Sequence, residues 1–322
     1  MKLKNIITLI FSVLTLAIGL ASCDTDVENL QIQKPYTYSD KYYEDLRAYK
    51  KSDHVVCFMW FSDYLSSHSP GLRFKGLPDS LDICSLWGGI PNPNDHPLAY
   101  EEMRFCQKVK GIKFTYVTFP GVSKDKEIMA LPEGERVKAY GDRLLKIVYD
   151  NGLDGMDLDY EIHGDWMHGA NFVKLIEYLG QYIGPKGKDP SKMLIVDGYD
   201  IDGGYEYLTY FISQAYHSSG ANDLQNRFNS LHSLGLDSKR YIVTENIGDY
   251  YATGGTPFTE VDGNTQSGLG GRLYSLEGMA RWNPVQGRKG GFGGFIGQRD
   301  YNSNPAYKWF RYGIQCANPS VK

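Results

Sequence analysis

The sequence predicts an α/β protein in which eight parallel strands close into a (β/α)8 TIM barrel that forms a single domain. Strand-like runs and amphipathic segments alternate eight times along the chain, which is typical of strands connected by helices. The runs are continuously apolar, as strands are when helices cover both faces of a parallel sheet. The chain of 322 residues retains 300 once its first 22 are removed, more than the roughly 250 of such a barrel.

An open doubly wound sheet is the competing architecture. In that fold a glycine-rich loop follows the first strand and binds phosphate at the start of a helix. Here the first predicted strand runs directly into Trp60-Phe61-Ser62-Asp63-Tyr64, which contains no glycine. Closure into a barrel is therefore favoured.

The predicted strands are short apolar runs separated by helical or polar segments. In chain order they comprise residues 55–61, 82–87, 113–119, 155–159, 193–197, 212–216, 241–246 and 291–296. Helices are predicted over residues 99–109, 133–151, 170–183, 223–234 and 271–282. Pro132 and Gly152 mark the two ends of the second helix, because proline favours a first helical turn and glycine follows a last one.

The N-terminus predicts a lipoprotein signal peptide over residues 1–22. Lysines precede an apolar stretch, and Leu20-Ala21-Ser22-Cys23 resembles a bacterial lipobox, in which the cysteine is lipidated. Residues 23–39 are predicted to form an acidic tether, whose first carboxylates resemble the signal that sends some Gram-negative lipoproteins to the outer face of the outer membrane. We expect a surface-exposed outer membrane lipoprotein anchored at Cys23. Ordinary secretion, with Cys23 as a bystander, is the alternative.

Charge and cysteine content exclude several classes of partner. The net charge is −4 without a basic cluster, so binding to nucleic acid or to anionic lipid is not expected. The remaining cysteines, Cys57, Cys84, Cys106 and Cys316, have neither close pairing nor CxxC spacing, which argues against a disulfide framework or a zinc site. A single disulfide stays open. The expected protein is a monomer without cofactor or metal.

The fourth predicted strand contains the most informative segment, Asp154-Gly155-Met156-Asp157-Leu158-Asp159-Tyr160-Glu161. Residues i, i+2 and i+4 of a strand point the same way, so Asp157, Asp159 and Glu161 share one face. Like charges placed so closely repel, which folding alone would avoid. Neighbouring carboxylates can divide the work of acid and base, as cleavage of a glycosidic bond requires. Acidic residues that cap helices or bind a cation are the alternative.

This segment matches the DGxDxDxE signature of glycoside hydrolase family 18 at every specified position, and the chain resembles that family in length and strand count. The resemblance implies a retaining mechanism in which the substrate's own 2-acetamido group attacks the anomeric carbon. Glu161 would then be the general acid and base, and Asp159 would orient the acetamide. Asp157 would share a proton with Asp159, while Asp154 and Gly155 would support the strand.

Further candidates lie at the ends of other predicted strands, where barrels of this type place their chemistry. Ser213-Gln214-Ala215-Tyr216 is similar to a family segment whose tyrosine hydrogen-bonds the acetamide, so Tyr216 is a catalytic candidate and Gln214 a binding one. A packed barrel tyrosine is the alternative for Tyr216. The other predicted substrate-binding residues are Trp60, Trp87, Asn246, Gln298 and Tyr301.

Two departures from family chitinases refine the expected activity. Residues 291–298 contain no tryptophan, although chitinases often carry one at the end of strand eight. The connection before that strand is also too short for the insert that deepens many chitinase clefts. The resemblance therefore indicates the endo-β-N-acetylglucosaminidase branch, with an N-glycan or glycoprotein as substrate and loops 62–72, 88–97 and 249–258 choosing the antennae. A chitinase-type hydrolase and an inactive glycan-binding protein are the alternatives.

Overall fold

The structure is a computed structural model that describes residues 38–65 and 69–319. Eight parallel strands of these residues pair in chain order and close on themselves, which confirms the predicted TIM barrel. The strands are β1 (Val56–Phe61), β2 (Ile83–Leu86), β3 (Lys113–Thr118), β4 (Gly155–Tyr160), β5 (Met193–Gly198), β6 (Tyr210–Ser213), β7 (Tyr241–Asn246) and β8 (Gly291–Phe295).

Helices of the described residues fill the connections between strands. They are α1 (Asp40–Lys51), α2 (Pro97–Phe105), α3 (Lys126–Met129), α4 (Glu133–Asp150), α5 (Ala170–Leu179), α6 (Ala221–Ser233), α7 (Ile247–Tyr250), α8 (Ser275–Arg281) and α9 (Lys308–Ala317). Five of them, α2, α4, α5, α6 and α8, lie within or beside the predicted helical segments. The sequence analysis did not predict α1, α3, α7 and α9.

Side chains of the strands separate into an inner and an outer set. Phe58, Trp60, Ile195 and Ile242 belong to the apolar cluster inside the barrel, whereas alternate strand residues pack with the helices. On β4, Met156 and Leu158 join the outer cluster. Since successive strand side chains point to opposite faces, Asp157 and Asp159 project into the barrel.

The prediction for the sixth strand was wrong in its limits. The strand was predicted over 212–216, but β6 comprises Tyr210–Ser213. The backbone N–H of Ala215 donates to the Ser213 carbonyl at 2.8 Å, so the chain turns immediately after the strand. His217 then adopts a positive φ of 62°. Gln214 and Tyr216 therefore lie in the loop that follows β6, not in the strand.

Gly155 begins β4 and allows close contact with β5. A Cβ atom at this position would lie 2.3 Å from the carbonyl oxygen of Met193, a distance that no side chain tolerates. Gly155 is also the β4 partner of Met193 in the strand register. A glycine here therefore lets β5 pair with β4 without displacement of the backbone.

Several predictions concern features at or beyond the limits of the described chain. The signal peptide, Cys23 and most of the tether lie outside the described residues. Within the described part, the thiols of Cys57, Cys84, Cys106 and Cys316 are free, and the first three are buried. No helix among these residues is both long and apolar enough to cross a membrane.

Candidate active site

The carboxylates of β4 lie on a path that leads from the barrel interior to solvent. Asp157 is fully buried, and Asp159, one inward-facing position later, is 2 % exposed. Glu161 follows the end of β4 and is exposed. The alternation of the strand thus places three acidic side chains at increasing height above the barrel core, with the predicted acid outermost.

Asp157 is held by neutral donors from neighbouring strands. Its Oδ2 accepts hydrogen bonds from Trp60 Nε1 at 2.9 Å and from Ser85 Oγ at 2.7 Å. Thr115 Oγ1 donates to Ser85 Oγ at 2.9 Å, so the hydroxyls form a chain beneath the carboxylate. Burial raises the pKa of Asp157 to about 6, against the lowering effect of these donors. The sequence analysis missed Ser85 and Thr115, although hydroxyls within buried strands are a recognisable signal.

Asp159 is linked to two residues of adjacent elements. Gln214 Nε2 lies 3.5 Å from Asp159 Oδ1 and donates at 2.8 Å to Oδ2 of Asp197. The pKa of Asp159 is raised to about 8, first by burial and then by the negative charges of Glu161 and Asp157. A proton is therefore retained among these carboxylates near neutral pH, as the predicted mechanism requires.

Asp197 is the acidic residue that the sequence analysis missed. It lies on β5 directly opposite Asp159 in the strand register and is 1 % exposed. Burial raises its pKa well above the usual range, and the charges of Asp157 and Asp159 raise it further. A single acidic residue inside the apolar run Met193–Gly198 was a signal that could have identified it.

Gly198, which follows Asp197, makes room for the side chain of Glu161. Its φ is +98°, a conformation that favours glycine. A Cβ atom there would lie 2.7 Å from the Tyr160 carbonyl oxygen and 3.2 Å from Glu161 Cγ. The end of β5 therefore helps to determine where the predicted acid stands.

Aromatic rings at the strand ends cluster around Phe295, the last residue of β8. Its ring centroid is 6.1 Å from that of Trp60, 5.2 Å from that of Trp87 and 6.0 Å from that of Tyr216. The structure thus brings together three predicted site residues through a fourth that was not predicted. Phe295 ends β8, the strand at whose end chitinases of the resembled family often carry tryptophan.

Tyr216 and the loop after β6 are fixed by a buried carboxylate of β7. Burial and then the charges of Asp197 and Asp159 raise the pKa of Tyr216, which keeps its hydroxyl protonated. Glu245 is fully buried, and its Oε1 accepts the backbone N–H of His217 at 3.1 Å. The loop that contains Tyr216 is therefore anchored to β7 through the backbone of the next residue. The sequence analysis assigned no role to Glu245.

Three predicted binding residues make structural hydrogen bonds or lie at the rim. Asn246 caps α7, since its Oδ1 accepts the Asp249 N–H at 3.2 Å. Gln298 is 2 % exposed and donates to Ser62 Oγ in the loop after β1. Tyr301 lines a cavity of about 310 Å³ together with residues that follow β1. Contact of these three residues with substrate stays a prediction.

Asp154 lies at the opposite end of β4 from the carboxylate row. Its Oδ2 accepts the Phe114 N–H at 3.0 Å and Gln107 Nε2 at 2.7 Å, and its Oδ1 accepts Lys113 Nζ at 3.0 Å. These contacts tie the start of β4 to β3 and its preceding turn. The signature thus contains two residues that align the strand, Asp154 and Gly155, and the three carboxylates of the row.

The predicted substrate loops after β1 and β2 meet at a cavity of about 510 Å³. Tyr64 connects the two loops, because its hydroxyl accepts the Gly88 N–H at 3.0 Å and donates to the Gly89 carbonyl at 2.5 Å. Arg73 and Glu102, an ion pair, line the same cavity. In the described residues no group of three or more His, Cys, Asp or Glu side chains is arranged to hold a metal ion.

Comparisons with known proteins identify relatives in sequence and in fold. The sequence is 25 % identical over 278 residues to endo-β-N-acetylglucosaminidase F2 of Elizabethkingia meningoseptica, covering 80 % of this chain and 77 % of that protein. A solved structure of a BT1044 selenomethionine variant superposes with a TM-score of 0.74 at 25 % identity, covering 87 % of this chain and 93 % of that one.

The apo endo-β-N-acetylglucosaminidase of Cordyceps militaris shares the fold, with a TM-score of 0.65 at 23 % identity over 88 % of this chain and 98 % of that one. A family profile described as glycoside hydrolase family 18, BT1044-like, matches residues 21–316. The predicted family is confirmed: the chain belongs to glycoside hydrolase family 18, in its BT1044-like group.

Proposed function

We propose that this glycosidase cleaves the β-1,4 bond in the N,N'-diacetylchitobiose core of N-glycans and leaves one N-acetylglucosamine on the protein. The observation that carries the proposal is the row of Asp157, Asp159 and Glu161, which runs from the barrel interior to solvent. The relatives named endo-β-N-acetylglucosaminidase, at 25 % and 26 % identity, support this choice of substrate.

The chemistry follows from the position of each group. The acetamide oxygen of the substrate attacks the anomeric carbon while the bond to the leaving glycosidic oxygen breaks, and Glu161 gives its proton to that oxygen. The product of this step is an oxazolinium ion. Glu161, now ionised, takes a proton from the water that attacks the anomeric carbon and reopens the ring, so the configuration is retained.

The acetamide needs an acceptor for its N–H and a donor for its oxygen. Asp159 supplies the acceptor, and the developing positive charge on the acetamide is stabilised by the carboxylates below it. Tyr216 supplies a donor, since the elevated pKa of its phenol keeps the hydroxyl protonated. The raised pKa of Asp159 keeps a proton among the neighbouring carboxylates near neutral pH. Glu161 can therefore act as the acid while Asp159 accepts from the acetamide.

The proposed preference of the enzyme for an N-glycan core over chitin is based on the residues at the end of β8 and on the connection between β7 and β8. Phe295 offers a smaller ring than tryptophan at the end of β8, within the aromatic group of Trp60, Trp87 and Tyr216. Between β7 and β8 the described residues form the short helices α7 and α8 and small bridged loops, such as Pro257 paired with Tyr274. Such a shallow wall leaves space for the antennae of a branched glycan.

The test incubates the purified protein with a mannose-rich glycoprotein, a complex-type glycoprotein and chitotetraose, and measures the product masses. Release of a glycan that leaves a single N-acetylglucosamine on the protein supports the proposal. Cleavage of chitotetraose alone would replace it with a chitinase-type activity. Intact substrates that nevertheless bind would replace it with a glycan-binding function. The Glu161→Gln variant, assayed in parallel, serves as the control for contaminating glycosidases.

A further inference from the structure

The further inference concerns Asp197, a buried carboxyl group that the mechanism above does not use. Asp157, Asp159 and Asp197 meet in the barrel interior, and each is at most 2 % exposed. Three ionised carboxylates in such a volume would repel one another strongly and lose the solvation of water. In the described part of the chain no lysine or arginine forms an ion pair with any of them, and their donors are the neutral groups of Trp60, Ser85 and Gln214.

The hydrogen bonds around Asp157 and Asp197 indicate that one of these two groups carries a proton. Oδ1 of Asp157 and Oδ1 of Asp197 are both buried, and neither accepts a hydrogen bond from a neutral donor of the described residues. A side-chain hydrogen bond between the two carboxyl groups lowers the pKa of Asp157 and raises that of Asp197. Since an ionised carboxylate can only accept, a hydrogen bond between them requires that one of the two carries a proton.

The partners of each group indicate which one carries it. Asp157 Oδ2 accepts two hydrogen bonds, from Trp60 at 2.9 Å and from Ser85 at 2.7 Å, which favour the ionised form. Asp197 accepts one hydrogen bond, from Gln214 at 2.8 Å. The negative charge is therefore more stable on Asp157, and the proton belongs on Asp197.

We propose, on the basis of the proposed function, that Asp197 is a positioning residue that stays protonated and donates to Asp157, so that the resting negative charge is fixed on Asp157 beneath Asp159. Asp197 does not touch the substrate in this arrangement. It acts by stabilising the Asp157 carboxylate, whose charge keeps a proton on Asp159. Gln214 completes the arrangement, because the same amide nitrogen faces Asp197 and Asp159.

The Asp197→Asn variant tests whether the side chain is neutral. An asparagine amide donates to Asp157 and its oxygen accepts from Gln214, as a protonated carboxyl group does. The expected result is a kcat within about threefold of the wild type and an alkaline limb of the kcat/KM profile at the same pH. If Asp197 were ionised, this variant would remove a negative charge and move the limb to lower pH, which would overturn the proposal.

The Asp197→Ala variant removes the donor altogether. The ionised form of Asp157 then loses a hydrogen bond, so the carboxylates hold their proton more tightly and the alkaline limb moves about one to two pH units upward. An unchanged limb in a folded Asp197→Ala variant argues against the proposal. Asp202→Asn, which changes an exposed carboxylate of the same connection, should leave the limb in place.

An activity-independent measurement separates this inference from the proposed function. The infrared difference spectrum of wild type minus Asp197→Asn at neutral pH should show the carbonyl stretch of a protonated carboxylic acid. A carboxylate stretch in that difference would refute the assignment even if both proteins release glycans. A protonated band in a wild type that cleaves none of the substrates would support the inference and reject the proposed function alone.

Discussion

At the scale of single residues, Glu161 has the role that is simplest to test. It is the exposed member of the carboxylate row. The Glu161→Gln variant should lower kcat by about 10²- to 10⁴-fold, because it can neither give nor take the proton, while substrate affinity is spared. Steady-state kinetics and calorimetric binding measure the two effects separately. A variant that keeps most of its rate would remove Glu161 from the role of acid.

We expect substrate placement to depend on Phe295. Its ring lies among those of Trp60, Trp87 and Tyr216, so its removal leaves a gap in the aromatic surface. Phe295→Ala should raise KM by about fivefold with a smaller change in kcat, as expected when about 1 kcal/mol of stacking is lost. Phe295→Tyr, which retains the ring, is the control. Equal KM values for Phe295→Ala and the wild type would show that the sugar does not pack against Phe295.

Residue-level prediction could name candidates where a motif fixes the spacing, but it missed residues whose significance depends on contacts between strands. The signature identified Asp157, Asp159 and Glu161 from one strand. Asp197 was missed because its significance depends on the register that sets it against Asp159. Phe295 was missed because the barrel has to close before its ring meets Trp60 and Trp87.

At the scale of elements, the end of β5 controls the position of Glu161. Gly198→Ala would place a methyl group 3.2 Å from Glu161 Cγ and 2.7 Å from the Tyr160 carbonyl oxygen. We expect kcat to fall at least about tenfold, because misplacement of a catalytic group by about 1 Å costs up to 10²-fold. The assay is kcat with the glycoprotein substrate, alongside the melting temperature.

The chain offers a matched control for this substitution. Gly235 has φ +101°, close to the +98° of Gly198, but a Cβ atom there meets nothing within 4 Å. Gly235→Ala therefore adds the same kind of backbone strain without a collision. It should lower stability and leave kcat unchanged. If both variants lost activity equally, strain rather than displacement of Glu161 would be the cause.

Element boundaries were predictable to within a few residues where a strand ends in a clear change of composition. The limits of β7 agree with the prediction, whereas β6 ends earlier because the chain turns at Gln214 despite the apolar and aromatic residues that follow. Helix α1 was missed because its composition is strongly polar and Leu46 is its only buried residue.

At the scale of the whole molecule, the buried carboxylates predict an unusual dependence of stability on pH. The folded state raises the pKa of Asp159 from 3.8 to about 8, so between these values it binds a proton that the unfolded chain has released. The free energy of unfolding should therefore fall as the pH rises from about 4 to about 8. The direction is opposite to that of a carboxylate in an ion pair.

The Asp159→Asn variant provides the measurement. Asparagine cannot ionise, so the decrease in melting temperature between pH 5 and pH 8 should be smaller in this variant than in the wild type. Asp262→Asn, at an exposed carboxylate, should preserve the wild-type decrease. Identical pH dependence in Asp159→Asn and the wild type would show that the buried carboxylate does not bind the extra proton.

The expected anchor at Cys23 belongs to the same scale. We propose that lipidation of Cys23 holds the barrel at the outer membrane, since Leu20-Ala21-Ser22-Cys23 resembles a lipobox. Cys23→Ser should move the protein from the membrane fraction to the soluble fraction and abolish incorporation of labelled fatty acid. Cys316→Ser, at a free thiol of the described barrel, is the control. Persistent membrane association of Cys23→Ser would contradict a lipid anchor.

The buried side chain of Glu245 forms hydrogen bonds with regions that are far apart in sequence. Its Oε1 accepts the N–H groups of His217 and Asn246, and its Oε2 accepts the hydroxyl of Thr256 at 3.3 Å and that of Ser275. The conformations of loops 249–258 and 214–220 therefore depend on the same buried carboxylate. An engineer who grafts either loop from a relative to alter glycan choice has to transplant both, together with the glutamate beneath them.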